Sequence, residues 1–196
     1  MNTPPTPALL HAWRHPRAEG AAGCCIGRTD LPVDPRRAKR LAHRIRQQAR
    51  RLGLPPIVVT SPLARSRSVG RWLARWGWQH RVDPALAEVD FGRWDGQRWA
   101  DIPRAAVDAW CEDFLHHGPG GGESVAQLLA RVRGFDPGPA RVVVTHGGWL
   151  SAARWWAGHS EAQPTAATWP AAPRHSTRVE LSTRGPVPGA GSAHGT

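Results

Sequence analysis

Three short clusters carry side chains that could hold and attack an oxyanion: Arg14-His15, Thr60-Ser61 with Arg65 close behind, and Thr145-His146 followed by Gly147-Gly148. Arginine forks match phosphate or carboxylate oxygens two at a time. A helix opening after Ser61 or at Gly147 adds unpaired N–H groups for the same anion. Two imidazoles beside two guanidinium groups are disfavoured from protonating, and a neutral imidazole is a nucleophile toward phosphorus. Phosphoryl transfer asks a protein for little beyond positioning and charge stabilisation, so the pooled set suits transfer through a phosphohistidine. A departing alkoxide also needs a proton, and "ALAEVDFGRWDG" offers Glu88, Asp90 and Asp95. Beside a bound phosphate dianion, Glu88 would keep its proton and act as general acid, a role typically worth ~10²–10⁴-fold.

Such a site requires elements that bring the three clusters to one rim. "ALLHAW", "PPIVV" and "ARVVV" are short apolar runs that end in those clusters and read as strands, the first stopped by Pro16. Residues 35–53 repeat apolar or small residues at Ala38, Leu41, Ala42, Ile45, Ala49 and Leu52, with Asp34 as N-cap, Pro35 at the first helical position and Gly53 at the end. Further helices are predicted from about Leu63 to Trp76, from Ser124 and through "WLSAARWWAG", and a late strand at residues 176–182. "EVDFGRWDGQRW" reads as a loop. The alternation implies an α/β fold, a three-layer αβα sandwich with a largely parallel central sheet. In open sheets of this kind the ligand crevice lies outside the carboxyl ends of the strands. Residues 1–182 form one expected domain, and residues 183–196, which lack core-forming side chains, an expected disordered tail.

Composition narrows the setting. The chain has 196 residues and a net charge of +11, with a single lysine, Lys39. The arginines of residues 35–53 could face a nucleic acid, but a solvated helix face is the favoured reading, and that helix lacks the interleaved aromatics of single-strand recognition. No run reaches the ~18 apolar residues of a membrane helix, no secretory signal is expected from "MNTPPTPALL", and three cysteines, two of them adjacent, make no disulfide framework. A cytoplasmic protein is expected. His116-His117 and Cys24-Cys25 lack the spacing of a zinc site. Among eleven tryptophans, Trp94, Trp99 and Trp110 lie near a prospective lid, where core packing is the commoner fate and stacking on a substrate ring the alternative.

The ordered set "AWRHP", "CIGRTDLPV", "VVTSPLARSRSV", "LAEVDFGRWDG", "GGESVAQLLARV" and "VVVTHGGWL" resembles the histidine phosphatase (phosphoglycerate mutase-like) superfamily, in its α-ribazole phosphatase-like branch. The motifs run over residues 8–158. The resemblance implies a phosphoglycerate mutase-like fold, His15 as the phosphorylated nucleophile, Arg14 and Arg65 as clamps on the phosphoryl oxygens, His146 as stabiliser of the transferring group and Glu88 as proton donor. It brings no metal and no organic cofactor. It implies a small-molecule phosphomonoester as substrate, first α-ribazole 5′-phosphate in the late steps of cobalamin assembly, with a broader sugar or small-molecule phosphatase as the alternative. Two positions depart from the pattern. Pro16 stands where the family has glycine, and Ala21 where it has asparagine, so a phosphate donor is missing or supplied elsewhere; Arg28 is the candidate replacement. These departures also motivate a rival reading, a phosphate-ester-binding pseudoenzyme.

Overall fold

The computed structural model describes residues 9–158 and 163–182; the expected tail lies outside them. Five strands form one sheet in the order β3-β2-β4-β1-β5. They are β1 (Leu9–Arg14), β2 (Ile57–Thr60), β3 (Gln79–Val82), β4 (Val142–Thr145) and β5 (Arg178–Ser182). The first four pair in parallel and β5 runs antiparallel to β1. The helices are α1 (Pro35–Arg51), α2 (Ala64–Arg75), α3 (Arg104–Glu112), α4 (Val125–Arg133) and α5 (Gly147–Gly158).

Alternation along the buried strands builds the three layers. Trp13, Val58, Val142 and Val144 pack with Leu41, Ile45, Val69 and Leu73 of α1 and α2. Ala12, Val59 and Val143 turn the other way, against Leu128 of α4 and Trp149 and Leu150 of α5. α1 follows the predicted pattern: the Asp34 carboxylate accepts from the N–H of Arg36, and Ala38, Leu41, Ala42, Ile45 and Ala49 are its buried residues. No helix among the described residues is long and apolar enough to cross a membrane.

Two elements were not expected. β3 is a polar edge strand with no buried residue, and α3 likewise buries none. Hydrophobic periodicity is the signal that reports an element in sequence, and neither segment needs it. A small separate cluster of Cys25, Trp94 and Ile102 joins the lid region to the loop after β1. Trp94 therefore has the packing fate, whereas Trp99 is exposed.

Candidate active site

His15 leaves β1 in a fixed pose. Its N–H donates to the carbonyl of Thr145 at 3.0 Å, one step beyond the β1–β4 ladder. Pro16 then ends the pairing, yet its carbonyl accepts from His15 Nδ1 at 2.6 Å. The proton is thereby placed on Nδ1, and Nε2 keeps its lone pair. The proline that replaces the family glycine costs an N–H but retains the carbonyl that orients the ring.

His146 follows β4 directly. Its ring centroid lies 4.8 Å from that of His15, so the two imidazoles, 131 positions apart by number (146 − 15), share one pocket. Nε2 of His146 meets Ser61 Oγ at 2.6 Å. That oxygen also accepts from the N–H of Leu63, so its own proton is available to Nε2, which leaves the imidazole proton on Nδ1. Nδ1 is buried without a protein partner.

Arg65 sits in the first turn of α2 and is 1% exposed. Its guanidinium donates to the carbonyls of Thr29 at 2.7 Å and Gly27 at 2.5 Å. Arg14 donates to the carbonyl of Pro173 at 2.6 Å. The Nε atoms of Arg14 and Arg28 are buried and unpartnered. With His146 Nδ1 they make three unsatisfied donors, each costly to bury unless an acceptor arrives. A tetrahedral oxyanion meets that need.

Burial, then the nearby guanidinium groups, hold the pKa values of His15 and His146 well below the usual imidazole value of 6.5. Arg28 is the last and weakest of the charges that depress His146. Burial also lowers the pKa values of Arg14 and Arg65, with Glu88 pulling the other way, though arginine stays cationic in proteins.

Of the three carboxylates considered from sequence, only Glu88 belongs to the pocket. Its Oε1 accepts from the N–H groups of Gly148 at 2.9 Å and Trp149 at 3.3 Å, in the first turn of α5, and from Val89 at 3.1 Å. A methyl group on Gly148 would stand 2.6 Å from that oxygen, so glycine is required for the approach. Gly147, expected to bind phosphate, opens α5, and a methyl there would meet the Arg14 guanidinium at 3.1 Å. Asp90 caps its own turn through the N–H of Gly92. Asp95 takes the backbone N–H groups of Gly27, Arg28 and Thr29 and the Thr29 hydroxyl.

The pattern in hand, a paired-imidazole pocket with two arginines at the carboxyl edge of this sheet, agrees with the family comparison. The model for the histidine phosphatase superfamily (branch 1) matches residues 10–187. The chain belongs to that superfamily. Its histidine phosphatase fold resembles mycobacterial glucosyl-3-phosphoglycerate phosphatase complexed with VO3, at 26% identity over 89% of this chain and 91% of the other with TM-score 0.71. The same enzyme with inorganic phosphate gives 26% identity, 89% coverage of each chain and TM-score 0.69. A candidate alpha-ribazole-5′-P phosphatase from Escherichia coli shares the fold at 22% identity, 89% of each chain and TM-score 0.72. No curated protein matches by sequence.

Sequence reasoning missed two parts of this histidine phosphatase pocket. His175 lies against His15, its ring centroid 5.3 Å from that of His15 and its Nδ1 3.2 Å from the His15 carbonyl oxygen. Because β5 runs antiparallel, the residues before it arrive at the rim where β1 ends. Recognising that the last strand was antiparallel would have found it. The second is the ion pair of Arg131 with Glu123, joined at 2.8 and 2.7 Å. Arg131 also donates to the carbonyls of Ala85 and Ala87, both at 2.8 Å, just before Glu88.

Proposed function

We propose that this histidine phosphatase is a metal-independent phosphomonoester hydrolase working through a phosphohistidine on His15. The observation that carries the reading is the pairing of the two imidazoles in one buried pocket, with Nε2 of His15 left unprotonated by the Nδ1–Pro16 hydrogen bond.

Nε2 of His15 attacks phosphorus, an N–P bond forms and the ester P–O bond breaks. Glu88 delivers its proton to the departing alkoxide. Arg14, Arg65 and the Nδ1–H of His146 stabilise the equatorial oxygens during transfer, with Arg28 and the opening of α5 at Gly147 as further donors. Water then attacks the phosphohistidine, Glu88 takes its proton, the N–P electron pair returns to Nε2 and phosphate leaves. Retention of both histidines and of Glu88 favours this cycle over a pseudoenzyme.

The preferred substrate is α-ribazole 5′-phosphate, in cobalamin assembly, on the resemblance carried by "CIGRTD" and on the compact chain. The alternative is a phosphorylated sugar derivative, supported by the likeness to the glucosyl-3-phosphoglycerate phosphatase. Turnover of an aryl phosphate in excess EDTA, wild type beside His15→Ala, tests the mechanism: activity should survive chelation and vanish in the variant. Loss on chelation rejects it. Comparable kcat/KM for α-ribazole 5′-phosphate and for sugar phosphates would remove the cobalamin assignment.

A further inference from the structure

α1 brings a concentration of positive charge to the rim of the sheet. Eight of its seventeen residues are arginine or lysine and none is acidic. Arg37, Arg40 and Arg44, three and four positions apart, share one face of the helix. They meet Arg17, from the loop after β1, around a cavity of about 320 Å³, at the small end of the range for ligand pockets. No aspartate or glutamate lines it.

These four cations find little neutralisation within the chain. Among the described residues, no ion pair includes Arg17, Arg40 or Arg44. Arg44 lies instead over the Trp13 ring, 5.6 Å from its centroid, and Arg37 comes no nearer than 3.9 Å to the Asp34 carboxylate. Like charges at these helical spacings repel, and a concave wall of one sign focuses its field on the space it encloses. A solvated helix face explains cations that spread apart. It does not explain a loop arginine joining three helical ones around a hollow.

The inner wall is held in place by the end of β1. Ser176 lines the cavity with a φ of 60°, unusual for a residue with a side chain, and its N–H donates to the Arg14 carbonyl at 3.0 Å. Pro16 and His175 complete that wall. They engage His15 through its Nδ1 and its carbonyl oxygen, so the cavity meets His15 through atoms other than Nε2, the proposed point of transfer.

We infer that this cavity binds a small diphosphate, as a free molecule separate from the ester turned over at His15. Guanidinium forks take phosphoryl oxygens two at a time, and two adjacent phosphoryl groups bring more charge into a small hollow than a dicarboxylate of the same length. The site goes beyond the phosphatase reading and stands without it, because binding is measured without turnover.

The test is calorimetry at low ionic strength with methylenediphosphonate, whose P–C–P bridge resists hydrolysis. Wild type is compared with Arg17→Gln/Arg40→Gln and with a charge-matched control at the far end of α1, Arg50→Gln/Arg51→Gln. All four side chains are exposed, and urea midpoints check that both variants fold. The first pair should weaken binding about thirtyfold or more and the control about threefold or less. Malonate, the same bridge between two carboxylates, should bind wild type about tenfold more weakly than the diphosphonate. No binding to wild type, equal affinity in all three proteins, or equal losses in the two variants overturns the site; malonate binding as tightly overturns the diphosphate assignment. A single-stranded oligonucleotide bound more tightly than the diphosphonate, and weakened equally by both variants, would give these arginines to nucleic acid and overturn it as well. Turnover of 4-nitrophenyl phosphate separates a free ligand from a second anchor for the ester: Arg17→Gln/Arg40→Gln should keep kcat/KM within about threefold of wild type. A loss there as large as the loss of diphosphonate affinity would fold the cavity into the ester site and overturn the proposal. If wild type turns over no ester, the phosphatase reading fails and the calorimetry still decides this one.

Discussion

Asp95 and Arg65 hold the same three-residue loop. The carboxylate takes the N–H groups of Gly27, Arg28 and Thr29, and the guanidinium takes the carbonyls of Gly27 and Thr29. Burial alone would raise the Asp95 pKa, but these donors outweigh it and hold the carboxyl below its ordinary value. Asp95 thus helps set the pose of Arg65, the proposed phosphate clamp, through the backbone both hold. Asp95→Asn keeps one acceptor oxygen and puts an N–H₂ group against backbone donors. It should raise KM for a phosphomonoester about tenfold and destabilise the fold by ~1–3 kcal/mol, read by steady-state kinetics and urea unfolding. An unchanged KM would remove Asp95 from the positioning of Arg65.

Much of this arrangement was legible before any coordinates. Strands β1, β2 and β4 announce themselves because each is buried and ends in polar chemistry, and α1 because its buried stripe and Asp34 cap follow helical spacing. Ser124 with Gln127 forms a capping box at the start of α4, where a helix entry was expected. What escaped depends on pairing across the fold. No spacing rule connects His175 to His15, 160 positions away (175 − 15), until β5 is known to run antiparallel. Likewise Asp90, Asp95 and Glu88 are indistinguishable as loop carboxylates; only α5, arriving beneath Glu88, sets it apart from the other two.

The Nδ1–H of His15 is committed to the Pro16 carbonyl, so phosphorylation should fall on Nε2. Rapid quenching with labelled substrate should trap an acid-labile, base-stable phosphohistidine, absent from His15→Ala, and two-dimensional NMR of the trapped protein should show the Nε2 isomer. The Nδ1 isomer would contradict the ring pose.

Glu88 matters most when the leaving group is poor. Glu88→Gln retains an oxygen for the Gly148 N–H but supplies no proton of comparable acidity. Its kcat should drop ~10²–10⁴-fold for an alkyl phosphate and far less for 4-nitrophenyl phosphate, whose phenolate leaves unaided. Equal losses on both esters would make Glu88 structural.

Three imidazoles in one basic pocket imply a particular pH response. Burial first, then Arg65 for His15 and the His15 ring followed by Arg65 for His146, holds both pKa values well below 6.5, and burial with Arg14 pushes His175 down to about 4. In the unfolded chain each histidine would protonate near 6.5. The unfolded state therefore binds more protons as pH falls below about 6.5, and stability should decline there, the His175 share spread from about 6.5 to about 4. Urea midpoints should fall across that window in wild type and less steeply in His175→Gln. The imidazole NMR signals of His15 and His146 should not titrate near 6.5; a midpoint there would refute the burial argument.

Arg131 and Glu123 form a two-point ion pair whose side chains are only 18% and 12% exposed. Removing one partner from a buried pair typically costs ~3–5 kcal/mol, because the other charge is left stranded. Arg131 does a second task, holding the carbonyls of Ala85 and Ala87 on the approach to Glu88. The two variants should therefore part company in function. Glu123→Gln and Arg131→Met should both lower the urea midpoint, but Arg131→Met also frees the segment that carries Glu88, the proposed proton donor. Its residual activity on an alkyl phosphate, corrected for the folded fraction, should fall about tenfold further than that of Glu123→Gln, about the weight of one lost hydrogen bond in the transition state. Equal activities after that correction would confine Arg131 to stability and leave Glu88 held by α5 alone.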